Sequence, residues 1–224
     1  MFLRLLICAC LAIFSGCHKR QGDTETKSAA DPKSVTAQAE YQPQPGDFVF
    51  QSLPHNPLID AIEGSSGSPF SHCGIVKRGD VTKPHDAEWV VIEAIGPVKE
   101  TRLAHWIAQG RDSAYVAYRL RAPLGEKIPA IITAAEKYKG RPYDIHYEMD
   151  DEKIYCSELL YKAVRDATGT KLGKIRKLGE LKWQPYEKVI RQIENGGLPL
   201  DREMITPRDF SEAPELRQVF RSRM

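Results

Sequence analysis

The sequence predicts an α+β domain whose strands pair mostly antiparallel. Two observations carry this reading. Short apolar runs cluster between residues 48 and 120, and a dominant amphipathic helix follows them at Cys156–Thr168. No internal repeat competes with a single domain.

Taken in order, Gly46-Asp47 turns the chain into a first strand, Phe48-Val49-Phe50. His55 to Glu63 reads as a short helix and Gly64 to Pro69 as a loop. His72 to Lys77 is a strand closed by Arg78-Gly79-Asp80, and Trp89 to Ile95 is another, turned by Gly96-Pro97. Leu103 to Ala108 suggests a brief helix, and Tyr115 to Leu120 alternates as a strand. Pro129 to Tyr138 places Ile131, Ile132, Ala135 and Tyr138 on one helical face before Lys139-Gly140-Arg141-Pro142 stops it. In the dominant helix, Cys156, Leu159, Leu160, Ala163, Val164 and Ala167 form a continuous apolar stripe, and Gly169 provides the stop.

Composition narrows the function classes. The 224 residues carry 32 Lys plus Arg against 30 Asp plus Glu, a net charge of +2, which argues against a nucleic-acid partner. A mean hydropathy of −0.42 with one long apolar run excludes a polytopic membrane protein. That run is N-terminal. Arg4 precedes an apolar stretch from Leu5 to Phe14, and Ser15-Gly16 stands directly before Cys17. The pattern looks like a bacterial lipobox, with residues 1–16 a lipoprotein signal peptide and Cys17 the lipidated N-terminus. An ordinary secretory signal is the other reading. Residues 17–44 hold hardly any large apolar side chain and read as a flexible tether, about 30 Å in r.m.s. span. This leaves 45–224 for the domain. The expected location is therefore the bacterial cell envelope, membrane-anchored through lipid and facing the periplasm or exterior.

Of five cysteines, Cys8 and Cys10 leave with the signal and Cys17 is lipidated, so Cys73 and Cys156 remain. Cys156 starts the dominant helix, where free backbone N–H groups and the helix dipole favour a thiolate. It also lies on the core stripe, where a cysteine is an ordinary buried residue. His72 opens a strand and shares a face with Gly74, which leaves room for another group beside it. Glu93 sits inside the apolar run Trp89–Ile95, where a carboxylate needs a partner: a histidine N–H or an arginine. Together the three supply a nucleophile, a base and an orienter. Zinc is the competing use of Cys and His, but no CxxC or HxxxH pair is present. The acidic run Glu148, Asp150, Asp151, Glu152 reads as a solvated loop or a recognition site for amines. The basic stretch Lys171, Lys174, Arg176, Lys177, Lys182 reads as a solvated loop or a headgroup contact.

These residues also carry a family pattern. Pro45-Gly46-Asp47, Ser71-His72-Cys73-Gly74-Ile75-Val76, Val91-Ile92-Glu93-Ala94, Pro142-Tyr143-Asp144, Tyr155-Cys156-Ser157-Glu158-Leu159-Leu160-Tyr161 and Ile205-Thr206-Pro207-Arg208-Asp209-Phe210 resemble the YiiX-like cysteine hydrolases. These form a circularly permuted branch of the NlpC-type papain-fold superfamily, in which His precedes Cys. The resemblance implies a permuted papain-like fold, with an antiparallel sheet or barrel packed against helices. It implies Cys156 as nucleophile, His72 as base and Glu93 as its orienter, with no cofactor or metal. The Cys156 backbone N–H and Tyr143 are the expected oxyanion donors. The substrate class is an amide, or an ester, in a cell-envelope peptide or lipid. A non-catalytic envelope-binding module and a lipid acyltransferase are the alternatives. Cys73 stands where an apolar residue is commoner. If His72 faces Cys156, strand alternation turns Cys73 away from it and disfavours a disulfide between them.

Overall fold

Phe48–Gln51 (β1) is apolar on both faces because it lies mid-sheet, buried throughout. The computed structural model describes residues 40–80, 82 and 88–222. β1 pairs antiparallel with His72–Arg78 (β2) on one side and Tyr115–Leu120 (β5) on the other. Trp89–Ala94 (β3) and Val98–Arg102 (β4) extend the sheet beyond β2, and Leu216–Arg221 (β8) extends it beyond β5. The result is a six-stranded antiparallel sheet of order β4-β3-β2-β1-β5-β8. Arg176–Lys177 (β6) and Glu203–Met204 (β7) form a separate two-stranded ladder. The expected α+β class holds.

Cys156–Thr168 (α4) and Ile128–Glu136 (α3) cover one face of the sheet. The α4 stripe, Cys156, Leu159, Leu160, Ala163 and Val164, is buried with Phe48, Phe50, Ile75 and Ile92. Full burial of each large aliphatic side chain contributes about 1.5–3 kcal/mol. Leu103–Gln109 (α2) covers part of the opposite face, where Trp106 is buried with Val49, Val76, Val91 and Ala117. Glu187–Ile193 (α5) and Pro207–Ser211 (α6) complete the helices.

The first helix, Pro57–Ser66 (α1), runs through part of the stretch expected to be a loop. Asn56 starts it, its side chain accepting from the Leu58 and Ile59 amides at 3.0 Å. Gly64 is not the stop; a Cβ there would sit 1.7 Å from the Tyr186 hydroxyl, so it serves close packing. Gly67, at φ 66°, ends the helix.

Several motif residues turn out to hold the frame. Asp47 accepts from Arg119 Nε at 2.6 Å and Nη2 at 2.9 Å, from the Tyr41 hydroxyl at 2.8 Å and from the Gln44 amide at 2.9 Å. Tyr41 and Gln44, placed in the tether from sequence, are thus fastened to the domain. Residues 1–39, including the expected signal peptide and Cys17, lie outside the described residues. Asp144 accepts from the His146 and Glu148 amides at 3.0 and 2.5 Å, shaping the loop before α4. Two members of the acidic run, Asp150 and Asp151, are used internally. Asp150 caps the Glu152 and Lys153 amides, and Asp151 pairs with buried Lys162 at 2.6 Å. In the basic stretch, Arg176 pairs with Asp209 at 2.6 Å and Lys177 with Asp201 at 3.0 Å.

Candidate active site

The N-terminus of α4 stands over the start of β2, so the Cys156 sulfur comes within 3.8 Å of the Ser71 carbonyl oxygen. His72, the next residue, reaches the same sulfur. Its Nε2 is engaged with Glu93 Oε2 at 2.6 Å, and the ring also interacts with the Cys156 sulfur. All three groups are buried. Of the two partners considered for Glu93, the carboxylate takes the histidine. It also accepts from Thr101 Oγ1 at 2.5 Å and Gln109 Nε2 at 3.0 Å, so a buried carboxylate is held by three donors.

Neighbouring elements set this geometry. β4 carries Thr101 and α2 carries Gln109, while Trp106 of α2 stacks on the His72 ring at 5.9 Å between centroids and 30° between planes. Gly74 does not leave room for a catalytic group. A Cβ there would meet Val91 Cγ1 at 2.3 Å, so the glycine admits β3 instead.

Cys73 departs from the expectation. Its side chain does point to the opposite sheet face from His72, but that is the face α4 covers. Its thiol therefore packs with Cys156 in one buried cluster and interacts with it, as His72 does as well. Both cysteines are free. Strand alternation holds, but a helix terminus at a strand end can be touched from both faces.

The charges are mutually supporting. Cys156 is held well below the ordinary thiol value, first by the hydrogen bond from Cys73 and then, against the opposing effect of burial, by the hydrogen bond and charge of His72 and by the Ser157 amide. Burial works against a charged His72, but its hydrogen bonds and charge interactions with Cys156 and Glu93 outweigh that and raise its pKa to about 9. Burial pushes Glu93 up, yet the hydrogen bond and charge of His72, with the bonds from Thr101 and Gln109, hold it below the ordinary value. Burial and the bond to Cys156 raise Cys73, so it stays a thiol that donates. The arrangement is a thiolate–imidazolium pair backed by a carboxylate, the ionisation that nucleophilic attack by sulfur requires.

Tyr143 lines the cleft beside His72 and hydrogen-bonds Tyr147 at 3.2 Å between hydroxyls. Burial raises both phenols, so each is a neutral donor. The Cys156 backbone N–H lies in the first turn of α4, where it has no intrahelical acceptor. Cys73, Thr101, Gln109, Trp106 and Tyr147 were not assigned to the site from sequence. Cys73→Ala is expected to move the acid limb of Cys156 alkylation by iodoacetamide to higher pH. At pH values below that limb the rate falls about fivefold, the effect of losing one hydrogen bond of ~1 kcal/mol. An unmoved limb would show that Cys73 merely fills space.

Residues 42–220 match the family described as permuted papain-like amidase enzyme, YaeF/YiiX, C92 family. The uncharacterized protein YiiX of Escherichia coli strain K12 is 32% identical over 182 residues, covering 80% of this chain and 87% of that protein. A crystal structure of YiiX from Escherichia coli O157:H7, described as a metalloprotein, superposes with a TM-score of 0.74 at 31% identity, covering 81% of this chain and 99% of that one. Among the described residues here, no group of three or more His, Cys, Asp or Glu is placed to hold a metal ion.

Proposed function

The chain belongs to the permuted papain-like C92 amidase family, and on that premise we propose that it is a lipid-anchored cell-envelope hydrolase cleaving an amide bond through Cys156, His72 and Glu93. The observation that carries the mechanism is the buried grouping of Cys156, His72 and Glu93, in which His72 is hydrogen-bonded to Glu93 at 2.6 Å and interacts with the Cys156 sulfur. The Cys156 thiolate attacks the carbonyl carbon, and the developing oxyanion is met by the Cys156 backbone N–H and the Tyr143 hydroxyl. The C–N bond breaks as imidazolium His72 delivers its proton to the departing amine. His72, now neutral, takes a proton from water, whose oxygen attacks the thioester. The C–S bond breaks, and acid product and thiolate return. Glu93 fixes the ring and supports its positive charge throughout.

The anchor and location rest on the N-terminal pattern ending at Cys17, and an envelope peptide or lipid amide is the substrate class. An ester would follow the same steps. The test is incubation of wild type and Cys156→Ala with fractionated bacterial envelope, followed by acid quench and mass spectrometry. The expected outcome is an acyl adduct on Cys156 and paired amine and acid products with wild type alone. Amine release with the acyl group moved onto a second acceptor would instead indicate an acyltransferase. Retention of a ligand by both proteins without turnover would indicate a binding module.

A further inference from the structure

Two thiols meet in the core of this protein, and amide cleavage needs only one. Cys156 begins α4, and its sulfur lies 3.8 Å from the Ser71 carbonyl oxygen. Cys73 stands two residues past Ser71, and strand alternation puts it with Ile75 on the sheet face that α4 covers. Cys73 and Cys156 are both free, both buried in one cluster, and in direct interaction. The chemistry derived for Cys156, His72 and Glu93 leaves the second sulfur without a reaction of its own.

The two thiols differ in access and in charge. Cys156 lines the cleft, so a small solute entering there reaches its sulfur. Cys73 lines neither that part of the cleft nor the part beside His72, and its exposure is 0%. Cys156 is held as a thiolate, first by Cys73 and then, against burial, by His72, whereas burial keeps Cys73 protonated. An oxidant in the cleft therefore meets a reactive anion at Cys156, with a shielded thiol directly behind it. A lone thiolate climbs from sulfenic to sulfinic acid, a step that is rarely reversed, but a neighbouring thiol diverts it at the first rung. Groups held side by side react as if at very high concentration, which favours Cys73 over any thiol in solution. Expected exposure to an extracytoplasmic compartment, where disulfides form and persist, gives the pair its occasion.

We propose that Cys73 is a resolving thiol for Cys156, and that a hydroperoxide converts the pair into a reversible Cys73–Cys156 disulfide that keeps the nucleophile inactive but recoverable. The Cys156 thiolate attacks the hydroxyl oxygen of the hydroperoxide, and the O–O bond breaks. The departing alkoxide, or hydroxide from hydrogen peroxide, takes the proton of imidazolium His72, and Cys156 becomes a sulfenic acid. The Cys73 sulfur then attacks the Cys156 sulfur, and the S–O bond breaks. The hydroxide released takes the Cys73 proton and leaves as water, so two electrons have passed from the two sulfurs to the peroxide. A dithiol reverses the change by exchange, restoring both thiols and leaving as its own disulfide. The sequence depends on a thiolate at Cys156 and on no particular substrate.

The test exposes the whole native protein to hydrogen peroxide at neutral pH, blocks remaining thiols with N-ethylmaleimide in denaturant, and maps non-reduced peptides by mass spectrometry. The expected product is a peptide pair joined through Cys73 and Cys156 and lighter by two hydrogens, in about tenfold or greater excess over Cys156 sulfinic acid. Iodoacetamide labelling of native Cys156 should vanish on oxidation and return with dithiothreitol. In Cys73→Ala and Cys73→Val, each compared with its own untreated labelling, the same dose should drive Cys156 to sulfinic acid, and dithiothreitol should recover little. In Cys156→Ala, Cys73 should stay a thiol, because the oxidant does not reach it. Wild-type sulfinic acid without the joined pair, two unchanged thiols, or a link between the Cys156 residues of two chains overturns the proposal. Recovery of the Cys73 variants to the wild-type extent, or oxidation of Cys73 in Cys156→Ala, removes its role as a shielded partner. A joined pair that dithiothreitol cannot open in the native protein overturns reversibility. The wild-type map decides the linkage even where a variant fails to fold.

Discussion

Cys156→Ser is expected to lower kcat/KM for amide hydrolysis by 10⁴-fold or more while leaving the fold intact. The substitution exchanges one atom for a smaller one at the first position of α4, where the side chain is 3% exposed and the stripe behind it is unchanged. What disappears is the anion. The interaction with Cys73, the charge of His72 and the Ser157 amide hold the Cys156 thiol well below its ordinary value and so stabilise a thiolate. The same surroundings cannot ionise an alcohol many units less acidic, so His72 would have to remove the proton during attack. It is poorly prepared for that while it remains an imidazolium. Losing the nucleophile of a three-group unit commonly costs more than any auxiliary residue, because the others act only through it. Hydrolysis rate, with thermal melting as the folding check, decides the matter. If Cys156→Ser keeps more than about a hundredth of wild-type activity, the nucleophile is elsewhere, and Cys73 is the next group to replace.

Much of this site was legible because its chemistry conflicts with its local pattern. A carboxylate within Trp89–Ile95 and a histidine at the head of an apolar strand are visible without any coordinates, since burial of either group demands a partner. Helix α4 was legible because its stripe is unbroken from Cys156 to Val164 and a glycine closes it. Strands β4 and β8 were not identified as strands. Val98–Arg102 and Leu216–Arg221 are sheet edges rich in charge, and the composition that protects an edge from further pairing also makes it read as a loop. Helix α1 was cut short because Gly64 resembles a stop until the Tyr186 ring packed against it is known. The holders of Glu93 were missed for a related reason. Thr101 belongs to an unrecognised edge strand, and Gln109 ends a helix read one residue short. The role of Cys73 depends on where a helix terminus sits relative to a strand end, a tertiary fact that alternation alone does not contain.

The second large effect is expected at Glu93. Glu93→Gln keeps the shape and can still accept one hydrogen bond from His72 Nε2, but it removes the negative charge that supports the imidazolium. It also presents an amide NH2 to a pocket already crowded with donors, Thr101 at 2.5 Å and Gln109 at 3.0 Å. One donor must lose its acceptor, or the amide turns and leaves His72 in the wrong tautomer. A loss of about 10²–10⁴ in kcat/KM follows. The pH profile separates this from simple damage. In wild type the charged pair exists between the depressed thiol pKa and the raised imidazolium pKa, so the alkaline limb of kcat/KM lies at about pH 9. Removing the Glu93 charge lowers the imidazolium pKa, which moves that limb towards neutrality, and weakens the thiolate, which moves the acid limb upward. The active window narrows from both sides. Stability obeys the same linkage. Because the His72 pKa is raised from its ordinary 6.5, its contribution is complete below that value and is lost as pH rises through about 9. The lowered Glu93 pKa works the other way: its contribution is present above the ordinary value of 4.5 and is lost as pH falls through the folded value. In Glu93→Gln the acid-side loss from this carboxylate vanishes and the alkaline loss begins earlier. Thr101→Val and Gln109→Leu each remove one donor while keeping the charge, so they should cost about tenfold with smaller shifts of the limbs. If all three variants lose activity equally with unmoved limbs, Glu93 acts as a spacer beneath His72, and the charge of the imidazolium is maintained by Cys156 alone.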